Sequence, residues 1–163
     1  MKTEVVLRDV TEADLPIFFE HESDRAACQM AAVPAKSREA FMARWREKVL
    51  LDPTTTAKTI LFHGRVAGSI ECWNQSGEQT IGYWIGREYW NKGIATGALS
   101  DFLRILKTRP LHARVAKHNL ASLRVLQKCG FTISGDAEGP SHTPGETVED
   151  HLLTLRGGTV RST

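Results

Sequence analysis

Residues 85–97 read Ile85-Gly86-Arg87-Glu88-Tyr89-Trp90-Asn91-Lys92-Gly93-Ile94-Ala95-Thr96-Gly97, with small residues gathered where a strand gives way to an amphipathic helix. The first amides of a helix have no intrahelical partner, and the helix dipole is positive there. Gly93 and Ala95 would therefore let an anion, a phosphate above all, approach the main chain closely. Two common phosphate loops do not fit. In a G-x-x-x-x-G-K-S/T register from Gly86, Asn91 stands where the second glycine belongs and Gly93 where Ser or Thr belongs. Gly93-x-Ala95-x-x-Ala98 keeps one glycine of the three in a dinucleotide fingerprint, and it follows a sheet that reads as antiparallel. A glycine-bearing connection that binds nothing is the competing reading.

Charge favours an anionic ligand. The net charge is +2, yet residues 1–84 hold 10 Lys/Arg against 12 Asp/Glu, residues 85–128 hold 9 against 2, and residues 129–163 hold 2 against 5. The middle segment is thus +7, and a field of that sign concentrates nucleotide phosphates or nucleic acid; a solvated helix face would look the same. A nucleic-acid partner ranks last, because the nearby aromatics do not alternate with Arg and Lys as in a stacking platform. His63, His112 and His142 fall at turns or strand ends without ligand spacing, so no metal is expected. Cys28, Cys72 and Cys129 form neither a CxxC pair nor a disulfide framework and read as buried free thiols.

The elements that must position these residues follow from periodicity. Val5, Leu7 and Val10 alternate roughly with charges, and Thr11 can cap a helix carrying Leu15, Phe18 and Phe19 on its apolar side. After Pro34, Ser37 opens a second helix with Phe41, Trp45 and Val49 four apart, stopped near Asp52-Pro53. The period then changes. Residues 59–62, a turn at His63-Gly64-Arg65, residues 66–73, a second turn from Asn74 to Gly77 and residues 80–85 form an antiparallel meander. A third helix carries Ala95, Ala98, Leu99, Phe102, Leu103 and Leu106 as far as Arg109-Pro110, and residues 111–115 are a strand. Asn119 caps a fourth helix with Leu120, Leu123 and Leu126 inward, closed by Cys129-Gly130-Phe131. Two last strands come from Phe131 with Ile133 and from residues 152–155. Between them residues 135–148, rich in Gly and Pro, read as a long loop, and residues 157–163 as a disordered tail.

The order is β-α-α-β-β-β-α-β-α-β-β in one mixed α/β unit. With 163 residues, 41% of them hydrophobic and 25% charged, the chain suits a single domain with its own core. No run approaches ~18 apolar residues and no signal-like stretch opens the chain, so a cytoplasmic protein with no membrane partner is expected.

Two stretches together carry a resemblance: Tyr83-Trp84-Ile85-Gly86 with Tyr89-Trp90-Asn91-Lys92-Gly93-Ile94-Ala95-Thr96, and His118-Asn119-Leu120-Ala121-Ser122-Leu123-Arg124-Val125-Leu126-Gln127-Lys128-Cys129-Gly130-Phe131. They resemble the GNAT superfamily of acyl-CoA-dependent N-acetyltransferases, and more closely its ribosomal-protein-alanine acetyltransferase type. That type carries Tyr-Trp-x-Lys-Gly-x-Ala-Thr and Asn-x-x-Ser with Lys-x-Gly-Phe. The motifs are specific as a pair and weaker singly; residues 4–156 fit the fold, the first third by pattern only. The resemblance implies one domain over residues 1–163 with a mixed, mostly antiparallel twisted sheet of about seven strands. It also implies about four helices on both faces and a splay between the fourth and fifth strands.

The resemblance further implies acetyl-CoA as co-substrate and an amine as acceptor, in a monomer or homodimer. Asn91, Lys92, Gly93, Ile94, Ala95 and Thr96 would hold the pyrophosphate, with Lys92, Arg124 and Lys128 near the phosphates. Tyr83, Trp84 and Ile85 would run beside the pantetheine like an added strand. Asn119 would bond the pantetheine, and Ser122 would lie near the sulfur. An ordinary N-cap also accounts for Asn119 with Ser122. The helix lacks the Tyr acid found in many superfamily members, which leaves Ser122 to meet the leaving thiolate; Trp90 stands where the wider superfamily has Gln or Arg. Acyl transfer also needs an oxyanion donor, for which a backbone N–H at Ile85 or Gly86 is the candidate, and a base, for which Glu71 is the candidate. His21, Glu22 and His151 are alternatives for the base. A catalytically silent CoA-binding sensor of the same fold is the rival function.

Overall fold

The structure, a computed structural model, describes residues 4–141, 143 and 145–157. His142 and the tail from residue 158 lie outside the described residues. Seven strands form one sheet in the order β1-β2-β3-β4-β5-β7-β6: β1 (Val5–Asp9), β2 (Thr56–Phe62), β3 (Arg65–Gln75), β4 (Glu78–Ile85), β5 (Leu111–Ala116), β6 (Thr132–Pro140) and β7 (Thr147–Leu155). Every neighbouring pair is antiparallel except β4 and β5, whose parallel ladder is reduced to Thr80 opposite His112. Beyond that register, toward Ile85 and Ala116, the two strands part.

Alternation along the strands sends Ile60, Ile70, Cys72, Ile81, Ala113, Val115 and Leu153 to one face. There they pack with Ile94, Ala98, Leu99 and Phe102 of α4 (Ile94–Ile105) and Leu126 of α5 (Leu120–Lys128). Leu15 and Phe18 of α1 (Leu15–Glu22), with Phe41, Met42, Trp45 and Val49, build a second core. Between them, α2 (Arg25–Ala31) is capped by Asp24, whose carboxylate accepts the Ala27 N–H at 3.0 Å. The entry to α1 is pinned by Asp14, which accepts two N–H bonds from Arg8 (2.7 and 2.9 Å), the Thr11 N–H (2.9 Å) and the Thr59 hydroxyl (2.7 Å). Burial alone would raise this carboxyl; the hydrogen bonds outweigh it and hold it at about 2.

Four expectations need correction. The early helices are three, making five α-helices among the described residues: α2 escapes the apolar-period reading because seven residues span barely two turns. The helix opened by Ser37, α3 (Arg38–Ala43), widens into π turns over Arg44–Leu50. Residues 135–148 are largely a hairpin, with β6 and β7 paired from Thr132 opposite Thr154 to Pro140 opposite Thr147. The glycines there serve the strand: the register shifts between Ile133 and Gly135, and a Cβ at Gly139 would strike the Asp150 carboxylate. Leu120 points outward at 55% exposure, since it opens α5, where only Leu126 is buried.

Cys28 and Cys72 are buried free thiols, and Cys129 is half-buried. Among the described residues no helix is long and apolar enough to cross a membrane, and no three His, Cys, Asp or Glu side chains group as a metal site.

Candidate active site

After β4 the chain makes one tight turn at Arg87–Tyr89 and then takes two residues in the left-handed region, Asn91 (φ 64°) and Gly93 (φ 75°), before α4 begins. The Trp90 indole N–H donates to the Ile85 carbonyl at 2.9 Å and holds this turn against the strand end. The first bond of the helical ladder runs from the Gly97 N–H to the Gly93 carbonyl at 3.1 Å, and no side chain caps the helix. The amides of Ile94, Ala95 and Thr96 are therefore not spent on the helix itself.

These amides open into a cleft of about 510 Å³ where β4 and β5 part. Tyr83, Trp84 and Ile85 form one wall, Asn91, Gly93, Ile94, Ala95 and Thr96 the floor, and Asn119, Ser122, Arg124 and Lys128 the opposite wall; Ala27, Met30 and Ala31 of α2 overhang it. Every residue expected to bind the cofactor lines this cleft except Lys92, which is exposed. Among the described residues the lining carries Arg124 and Lys128 and no carboxylate, so the cleft suits an anion.

The two candidate oxyanion amides part company. The Gly86 N–H donates to the Ala67 carbonyl at 2.8 Å and is already used. In an antiparallel ladder bonded and non-bonded pairs alternate, so Ile85, opposite Gly68, turns its N–H away from β3 and toward the parted strands. The close approach of β3 to β4 here requires Gly68, whose Cβ would collide with the Trp84 carbonyl.

On the opposite wall, the Asn119 side chain accepts the Ser122 N–H at 3.3 Å and caps α5. The Ser122 hydroxyl lies 2.6 Å from the Tyr83 hydroxyl, and burial pushes that phenol up to about 12. Glu71 is not in the cleft. Opposite Gly82 on β3, it lies on the sheet face away from Ile70 and Tyr83, and its carboxylate accepts a bond from Arg44 at 2.6 Å. Near it, burial raises the Glu22 carboxyl to about 7, with Arg44 pulling it down and Glu71 pushing it up. The other base alternatives are set differently. Burial lowers His21, whose buried Nδ1 has no hydrogen-bond partner among the described residues and whose carbonyl accepts the Trp84 indole N–H at 3.1 Å. His151 pairs across to Val115 and Asp136, outside the cleft lining.

Sequence reasoning missed Arg44, the α2 overhang and the contact of the Tyr83 hydroxyl with Ser122. Alternation with Ile81 and Ile85 could have placed Tyr83 on the α5 side of the sheet. Nothing local could have paired Arg44 with a glutamate 27 positions away.

Comparison with known proteins bears on these features together. No curated protein matches the chain. The chain is similar in structure to a ribosomal alpha-N-protein acetyltransferase, RimL, in complex with coenzyme A (TM-score 0.80, 17% identity, 96% of each chain covered). It is likewise similar to spermidine N-acetyltransferase from Vibrio cholerae in complex with CoA and spermine (TM-score 0.78, 17% identity, 94% of this chain and 95% of that one). A GNAT-family acetyltransferase from Bacillus anthracis gives a TM-score of 0.76 at 19% identity over 96% of each chain. At these identities the structures speak for the fold. The acetyltransferase (GNAT) domain model matches residues 4–132. With most of the chain matched by that model, on a seven-stranded sheet parted between its fourth and fifth strands, the protein belongs to the GNAT acetyltransferase family.

Proposed function

We propose that the protein is an acetyl-CoA-dependent N-acetyltransferase that moves an acetyl group directly from the CoA thioester to a primary amine, either a protein N terminus or a small molecule. One observation carries this reading: amides at the start of α4 that the helix itself does not use open into a cleft whose lining, among the described residues, holds two cations and no carboxylate. The CoA pyrophosphate would lie on the amides of Gly93, Ile94, Ala95 and Thr96 beside Asn91, with Arg124 and Lys128 on the far wall and Lys92 at the rim. The pantetheine would run along Tyr83, Trp84 and Ile85 as an added strand, with Asn119 across from it.

The acceptor nitrogen attacks the thioester carbonyl carbon, and the negative charge that develops on oxygen meets the Ile85 N–H. Collapse breaks the C–S bond, and the sulfur leaves with its electron pair beside Ser122. The amine must arrive neutral. Glu71, paired with Arg44 on the sheet face away from Tyr83, and Glu22, which feels both of those charges, are the groups to take its proton directly or through water. A carboxyl near 7 such as Glu22 suits that task because it exchanges a proton at physiological pH.

Calorimetry with CoA tests the reading. Binding near micromolar Kd is expected, weakened about tenfold or more by Gly93→Glu, which sets a carboxylate against the phosphates. No binding at millimolar CoA would overturn it. Thiol release from acetyl-CoA with a panel of amines then separates an enzyme from a silent CoA sensor.

A further inference from the structure

The hydroxyl that completes the leaving-group end of the cleft comes from the sheet. Tyr83 shares a strand face with Ile81 and Ile85, and its ring packs on the core beneath α4 and α5, so the phenol has little freedom. The hydroxyl at the tip reaches Ser122, 39 positions away, at 2.6 Å from Oγ and 3.3 Å from the carbonyl oxygen. The Ser122 amide is held in turn by Asn119 Oδ1, which fixes the backbone of that helical turn.

Either oxygen could donate in the short contact; a phenol is a far stronger acid than an aliphatic alcohol, which favours the phenol as donor to Oγ at 2.6 Å over the Ser122 carbonyl at 3.3 Å. Burial pushes the phenol up to about 12, further from ionisation, so it has a proton to donate. Ser122 then keeps its own O–H for another acceptor. Ser122 and Ile85 both line the cleft, and a bond accepted by a hydroxyl strengthens the bond it gives.

We propose that Tyr83 is a positioning residue: by donating to Ser122 Oγ it turns the Ser122 O–H toward the sulfur of CoA, and the two hydroxyls in series stabilise the departing thiolate. This rests on the acetyl-CoA reading. The C–S bond breaks with its electron pair on sulfur, the Ser122 O–H hydrogen-bonds that sulfur without giving up its proton, and the thiol is restored by the proton the amine has released. Neither tyrosinate nor alkoxide forms.

The test is the ionisation of the CoA thiol in the binary complex, followed by thiolate absorbance in the near ultraviolet against desulfo-CoA as blank, so that no acceptor need be known. In the parent protein the bound thiol should ionise at lower pH than free CoA. Tyr83→Phe and Ser122→Ala should each return it upward, cutting the thiolate fraction about threefold to tenfold at fixed pH, and the double variant should add little to either. Turnover should fall by a similar factor, with KM for acetyl-CoA held within about twofold. An unchanged bound thiol in Tyr83→Phe alongside a shift in Ser122→Ala would show Tyr83 to be packing only, and no shift in either would remove the chain altogether. Calorimetric CoA affinity separates this failure from that of the underlying reading. If Tyr83→Phe does not fold, fluorotyrosine incorporated in a Tyr89→Phe background replaces it: the more acidic phenol must lower the bound thiol further, and an unaltered value overturns the proposal.

Discussion

Replacing Glu22 by glutamine measures what holding a half-buried carboxylate near Glu71 costs. Glu22 ends α1, where the negative end of the helix dipole adds to burial and to Glu71 in resisting its ionisation, while Arg44 relieves part of the cost. The carboxyl is carried from 4.5 to about 7. At about 1.4 kcal/mol per pH unit this is worth about 3 kcal/mol. The folded protein holds this proton more tightly than the unfolded chain does. Stability is therefore untouched by Glu22 below pH about 4.5, declines between about 4.5 and 7, and is level above that. Glutamine cannot ionise, so Glu22→Gln should match the parent near pH ~4 and exceed it by as much as about 3 kcal/mol near pH ~8, less any hydrogen bond the carboxylate makes. Urea unfolding at these two values and at one between them supplies the curve. A parent-to-variant difference that is the same at all three would refute the reasoning. The complementary change, Arg44→Met, strips Glu71 of its 2.6 Å partner and should cost several kcal/mol.

Asp14→Asn addresses the opposite limb: the ionised form is favoured in the fold, so its contribution is present above about 3.8 and lost as pH falls toward about 2. The variant should lose about 3 kcal/mol at neutral pH and flatten the acid branch of the stability curve, read by acid unfolding. Gly68→Ala drives a methyl into the Trp84 carbonyl and should destabilise by about 2 kcal/mol while weakening CoA binding through displaced Trp84 and Ile85. A melting curve and CoA titration equal to the parent's would show that β3 and β4 can part there without consequence.

The legible parts of this protein are those whose cause is local. Gly93 marks the start of α4 because a left-handed residue without a side chain is needed there, and Asn119 marks α5 because its side chain reaches only to Ser122. The hairpin turn at His63-Gly64 and the alternation of the meander are equally short-range, which is why the central strands and the cleft floor could be read directly. Composition misled where pairing decides: Gly135 and Gly139 look like loop residues alone, yet β7 supplies the ladder that makes them strand. What tertiary structure settled lies across elements. The parting of β4 from β5 depends on how two strands separated by a helix are held by α4 and α5. The meetings of Tyr83 with Ser122 and of Arg44 with Glu71 join positions 39 and 27 apart. Local periodicity sets the face on which a side chain emerges; only the packing of whole elements sets which other face it meets.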